Sequence, residues 1–211
     1  MIGRRTWSKP VSVAVLFAVY AAALAIAWPI ADAALAAGDW ESVLFADVAA
    51  TGFVFLMALG FNNTSVYDPY WSVAPFPIIL WWARIGDPDL ARFGLMAFLI
   101  GLWGARLTAN FVRGWPGLHH EDWRYTEYRR FGVVRYWLIS FAGLQMMPTL
   151  IVFTGMLPAL AVTREPGNPF GWLDAVAIVV TAGFVLLETV ADEQKRRFDG
   201  DGFITTGVWA W

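Results

Sequence analysis

Cysteine is absent from the chain, which excludes disulfides, thiol nucleophiles and thiolate metal sites. Charge is scarce too: 15% of residues are charged, against about a quarter in soluble domains. With a net charge of -2 and no long Lys/Arg tract, the chain has nothing to track a phosphate backbone, so nucleic acid is excluded as a partner. There is no strand pattern and no Gly-rich phosphate loop, which excludes a Rossmann domain. What fills the chain instead is apolar, 58% hydrophobic and 17% aromatic, and it comes in long runs rather than amphipathic stripes. These features describe one all-α, polytopic membrane helix bundle over residues 1–211, with membrane lipids as its solvent.

Crossing a hydrocarbon core takes about 20 residues of helix. About six segments meet that length: 11–36, 42–62, 67–85, 90–112, 134–162 and 170–194. The first, too long for a signal peptide and without a clear cleavage site, is expected to stay as an anchor and to kink near Pro29. The third contains Pro69, Pro75 and Pro77, and a broken helix at membrane depth usually lines a cavity. Lys and Arg are retained on the cytoplasmic side. Eleven of them flank one set of span ends, including Arg4, Arg5 and Lys9, and three the other (Arg84, Arg92, Arg164). That split predicts a cytoplasmic N-terminus and C-terminal end, a bacterial inner-membrane location, and a cytoplasmic polar loop over 113–135. Tryptophans at 71, 81, 82, 103, 115, 123 and 137 fall near span ends, as an interfacial belt would place them.

Three constellations carry chemical potential. Trp103, Arg106, Asn110 and Arg113 share a helical face; an intramembrane Arg either snorkels to the interface or lines a polar pocket. Glu188 and Asp192 share a face of the last span. Their partners are Arg106 or Arg113 in a structural ion pair, or the hydroxyls and amide of a nucleotide. The connection FNNTSVYDPYW, residues 61–71, reads first as a turn capped by Asn63 or Ser65. Its Asp68 and Tyr70 add an acid–phenol pair at the mouth of the broken helix, suited to protonating a developing enolate. The run His119, His120, Glu121, Asp122 lacks the i, i+4 spacing of a helical metal site, so no metal is expected.

The segments NNTSVYDPYW, LWGARLTANFVRGW, HHEDWRYTEYRR, LLETVADEQKRRF and TTGVWAW, collinear from about residue 55 onward, resemble a bacterial branch, of the domain-of-unknown-function type, within the steroid 5-alpha-reductase superfamily. The resemblance implies an all-helical membrane oxidoreductase that takes NADPH from the cytosol and reduces an enone in a lipophilic substrate of steroid or isoprenoid type. Carried over by position, Asp192 and Arg196 are its nucleotide contacts, with Glu188 beside them, and Arg124 and Tyr125 suit phosphate or adenine. Arg106 and Asn110 complete the cofactor side. The family's catalytic Glu and Tyr have no matching pair, which leaves Asp68 and Tyr70 in that role. In similar proteins a Ser-Arg-His-Pro-Asn-Tyr type motif and one or two further helices follow the Gly-Val-Trp segment and complete the nucleotide pocket. A sequence ending at Trp211 is expected to lack them and to be impaired in activity. Isoprenylcysteine methyltransferases share the C-terminal architecture, so an S-adenosylmethionine-dependent methyltransferase is the alternative, and a non-catalytic scaffold the third reading.

Overall fold

Apolar runs can satisfy their own backbone donors and acceptors inside a bilayer only as helices or closed barrels. In the computed structural model, which describes residues 7–164, 170–198, 204 and 206–209, they form helices, and no strand occurs among the described residues. Arg4 and Arg5 of the charge pattern, and Thr205, Ala210 and Trp211 of the closing motif, lie outside the described residues.

Helices α1 (Lys9–Ala33) and α2 (Asp39–Phe61) pack as an antiparallel pair joined by a tight 3-10 turn at Leu35–Ala37. Helix α1 runs through Pro29 without ending there. Small residues on the facing sides, among them Ala23, Ala46, Ala50 and Ala58, let the backbones approach, the main source of helix association where lipid is as apolar as leucine.

The third expected span, 67–85, is corrected by the structure. It forms two short helices, α3 (Tyr70–Val73, 4 residues) and α4 (Pro75–Ile85, 11 residues), neither long enough to cross alone. Pro75 and Pro77 carry no N–H, so the carbonyls of Trp71 and Val73 lose their helical donors and the hydrogen-bond ladder is interrupted at Ala74. The segment still travels the length of the bundle. It leaves the end of α2 and finishes where Trp82 Nε1 donates to the Asp39 carbonyl at 3.1 Å and Arg84 pairs with Asp32 at 3.0 Å.

Helix α5 (Leu90–Gly114) returns, and the polar loop follows with α6 (Trp123–Tyr128) inside it. Helices α7 (Val133–Ile139) and α8 (Met147–Arg164) are fused through a π-helical stretch, Ser140–Met146, into one 32-residue run. Helix α9 (Trp172–Arg197) closes the bundle. Five helices in total, among the described residues, are long and apolar enough to cross a membrane. At one end of the bundle Lys9 Nζ donates to the Arg113 carbonyl (2.9 Å), and Asn63 Nδ2 donates to the carbonyls of Leu118 (2.9 Å) and His120 (2.8 Å). Arg106 meets the last turns of α9 there. The start of α1, the polar loop and the end of α9 thus share one end.

Three tryptophans placed in the belt by sequence are buried: Trp81, Trp82 and Trp115. They belong to the two apolar cores, one around Leu16, Tyr20, Val54 and Tyr67, the other around Ile79, Trp82 and Phe153.

Candidate functional site

The polar loop is anchored to the turn after α2. The Asn63 side chain is fully buried: besides its two donations into the loop, Oδ1 accepts from Ser65 N–H at 2.9 Å. Glu121 is buried as well and accepts from Thr64 N–H (2.8 Å), Tyr136 OH (2.8 Å) and the Nε and Nη2 edge of the Arg129 guanidinium (2.6 and 2.8 Å). Burial pushes the Glu121 carboxyl up, but the hydrogen bonds from Arg129, Thr64 and Tyr136 outweigh it and hold it below the usual range. Arg129 also donates to the Asn62 carbonyl and side chain, both at 2.9 Å, and stacks over Tyr136 at 4.2 Å. An ion pair whose carboxylate is fully buried and accepts four hydrogen bonds favours one geometry. Here it fixes the loop to the bundle.

Beneath that loop lies a cleft of about 940 Å³ between α5, α6 and the α7–α8 run. Asp68, Arg124, Tyr125 and Arg130 form its polar rim, Trp123 and Tyr128 add aromatic faces, and Leu107, Phe111, Met147 and Ile151 form an apolar wall. Three predicted cofactor residues, Asn110, Arg124 and Tyr125, line it, as does Asp68. The Asp68 carboxylate accepts from Tyr125 OH. Burial raises Asp68 to about 7, against the opposing hydrogen bonds of Tyr125 and Ser65 and the charge of Arg124. Arg124 is exposed and pairs bidentately with Asp122 at 2.8 and 3.1 Å.

A second cavity, about 390 Å³, lies between α1, α2 and the broken α3–α4 segment. Its lining is apolar except for Tyr20, Asp47 and Tyr70. Tyr70 OH donates to Asp47 Oδ1 at 2.9 Å, and Asp47 Oδ2 is buried without a partner. The structure therefore does not unite Asp68 with Tyr70. Asp68 faces the cleft with Tyr125, while Tyr70 faces the cavity with Asp47. Adjacent turn positions diverge, and only tertiary packing brings Asp47, 23 residues earlier, to the phenol. Sequence reasoning missed Asp47. The available signal was Asp47 and Thr51 at i, i+4 inside an apolar run, since an intramembrane acid needs a partner or a function.

The remaining predicted contacts lie elsewhere. Arg106 Nη1 donates to Asp192 Oδ2 at 2.6 Å and Nη2 to Glu188, the structural ion pair that spacing allowed. This cluster ties α5 to α9. Arg196, on the exposed last turn of α9, pairs with Glu193.

In comparisons with known proteins, residues 54–211 match the family model described as Protein of unknown function (DUF1295). An uncharacterized protein of Schizosaccharomyces pombe is 26% identical over 181 residues, a match covering 71% of this chain and 52% of that protein. The chain thus spans about half the length of the curated relative it matches. No solved structure matches. Because the family model covers most of the chain, from the end of α2 onward, the protein is a member of the DUF1295 family.

Proposed function

We propose that this protein is a membrane reductase of the steroid 5-alpha-reductase type, in which Tyr70 delivers a proton to the carbonyl oxygen of a lipophilic enone held in the α1–α2–α4 cavity. The Tyr70–Asp47 pair on the wall of that cavity carries the reading. A phenol in a water-poor pocket, its one O–H turning from the Asp47 carboxylate to a bound carbonyl, would hydrogen-bond that carbonyl and stabilise charge as it develops there. The rest of the lining, with Leu24, Trp28 and Ile78, suits a rigid or isoprenoid hydrocarbon body.

The neighbouring cleft suits NADPH in size and donor set. Asn110, Arg124 and Arg130 would hold it, with Trp123 and Tyr128 offering flat faces to its rings. The Arg124–Asp122 pair does not prevent this, because an exposed ion pair is worth only about 0–1 kcal/mol and a dianionic phosphate displaces it readily. NADPH, when bound, supplies the hydride for the enone's β carbon. The chain itself excludes water, orients the carbonyl and holds the Tyr70 proton. The Lys/Arg asymmetry supports a cytoplasmic cleft end in a bacterial inner membrane, on the side where NADPH is available.

The acidic side chains of the cleft favour a second reading. Asp68, Asp122 and Glu127 outnumber Arg124 and Arg130, and a cationic cofactor such as S-adenosylmethionine meets less repulsion there. One measurement decides between them: purified protein in nanodiscs, assayed for saturable binding of each cofactor and for NADPH oxidation with steroid and linear isoprenoid enones. The reductase reading expects NADPH binding, turnover, and a loss of about 10²- to 10⁴-fold in Tyr70→Phe. Binding of S-adenosylmethionine alone, or turnover unchanged in Tyr70→Phe, rejects it.

A further inference from the structure

Two buried polar atoms of residues lining the α1–α2–α4 cavity have no hydrogen-bond partner among the described residues, Asp47 Oδ2 and Trp81 Nε1. The first belongs to the acid–phenol pair with Tyr70. The second stands at the other end of the cavity, and two aromatic contacts on α1 set the span between them. Tyr20 meets Tyr70 edge-on with ring centroids 5.7 Å apart, and Trp28 meets Trp81 edge-on at 4.9 Å. Tyr20 and Trp28 lie a little over two turns apart on α1, about 12 Å of helix. Along that length Ala27, Ala46 and Ala50 keep the wall apolar and leave room for a hydrocarbon body.

Packing does not account for the Trp81 N–H. The side chain is 3% exposed, and an indole nitrogen can only donate. Its neighbour Trp82 uses the same group, donating to the Asp39 carbonyl at 3.1 Å. Arg84 lies over the Trp81 ring, 4.5 Å from its centroid, and so engages the ring rather than the N–H. Trp28 meets the indole at 87°, and an aromatic ring is a weak acceptor beside an oxygen. A phenyl ring would serve both contacts without leaving a buried donor unsatisfied, which is costly. The same two contacts hold the indole in one orientation, so its N–H is a preset donor.

We infer that Trp81 is a specificity-determining anchor: the ligand of this cavity is a rigid hydrocarbon with an oxygen at each end, and Trp81 Nε1 donates to the far one. That far oxygen is an acceptor, a carbonyl, ether or hydroxyl. The near oxygen is the enone carbonyl at Tyr70, and this assignment alone rests on the reductase reading. A hydrocarbon with a single oxygen leaves the indole N–H unpaired, so the site discriminates through the bond that the wrong ligand fails to make. Trp81 touches no reacting atom; it sets which enone is held.

The test titrates protein in nanodiscs with two steroid enones that differ at the far ring, a ketone in one and a methylene in the other, after subtracting uptake by empty nanodiscs. Wild type is expected to bind the far-ring ketone about tenfold tighter or more. Trp81→Phe, which keeps a ring for Arg84 and Trp28, is expected to bring that ratio to about one. An isotopic label on the far ketone reads the bond itself. Its infrared carbonyl band should fall below its position in alkane when the steroid is bound to wild type, and return there in Trp81→Phe. Equal affinity of wild type for the two enones, or a far-ketone band at its alkane position, overturns the anchor, and both readings stand even where Trp81→Phe does not fold. Reduction of both enones with no preference between them sinks the anchor and keeps the reductase. A far-ketone preference that Trp81→Phe abolishes, in protein that oxidises no NADPH, keeps the anchor and rejects the reductase.

Discussion

At the scale of single residues, a buried carboxylate and a half-buried one fix opposite pH responses. Glu121, held below the ordinary carboxylate range, binds fewer protons folded than unfolded at mild acidity. Its contribution is complete above its unfolded value, about 4.3, and is lost as pH falls through the lower folded value. Asp68, raised to about 7, binds more protons folded than unfolded between about 4 and 7. Stability from Asp68 therefore grows as pH falls across that window, by at most about 1.4 kcal/mol per pH unit. We expect detergent-solubilised protein to melt higher at pH 6 than at pH 8, and Asp68→Asn to flatten that difference. An unchanged slope in Asp68→Asn refutes the assignment. Glu121→Gln leaves the half-buried Arg129 guanidinium without its counter-charge and should cost about 1.5–3 kcal/mol, seen as a drop in melting temperature. The sequence showed Glu121 only as part of a polar run. Its burial depends on Thr64 and Tyr136, which arrive from segments far apart in the chain.

At the scale of elements, close approach and charge do the joining. A Cβ at Gly104 of α5 would collide with the Ser72 carbonyl of the broken third pass, so only glycine lets these two backbones meet. Ser72 Oγ and Thr108 Oγ1 at 2.9 Å hold the same junction. Gly104→Ala should destabilise the bundle by about 1–3 kcal/mol, measured by thermal unfolding, whereas Gly94→Ala, with open space around it, should not. The prolines made the break in the third pass legible in advance. The glycine that receives it was not, because nothing local marks which of 19 glycines meets a backbone.

At the scale of the whole molecule, hydropathy was legible because the bilayer imposes length and backbone satisfaction on each pass separately. The sites were legible only in part, because each is assembled from passes far apart in sequence: Arg106 with Glu188 and Asp192 was among the pairings that spacing offered, whereas Asp47 with Tyr70 and Asp68 with Tyr125 were not. Arg106 had three candidate environments by periodicity, and packing selected the pairing with α9. Membrane orientation is directly testable, since the chain has no cysteine to remove. A single cysteine at Arg130 should react with an impermeant maleimide only after cells are opened, and one at Asp87, at the other end, in intact cells. The reverse pattern inverts the proposed topology.

Among the described residues, helix α9 fully buries Val185 alone, and ionic contacts hold it near both ends, Asp174 on Arg92 and the acid pair on Arg106. Because Glu188 and Asp192 are one turn apart, a slip of α9 by about 5.4 Å still leaves Arg106 with one carboxylate. The helix therefore has detents rather than a continuous slide. In a thicker or thinner bilayer a change of register by a whole turn would break the Asp174–Arg92 contact and exchange the two at Arg106 for one, while the four or more apolar turns between its ends stay in lipid.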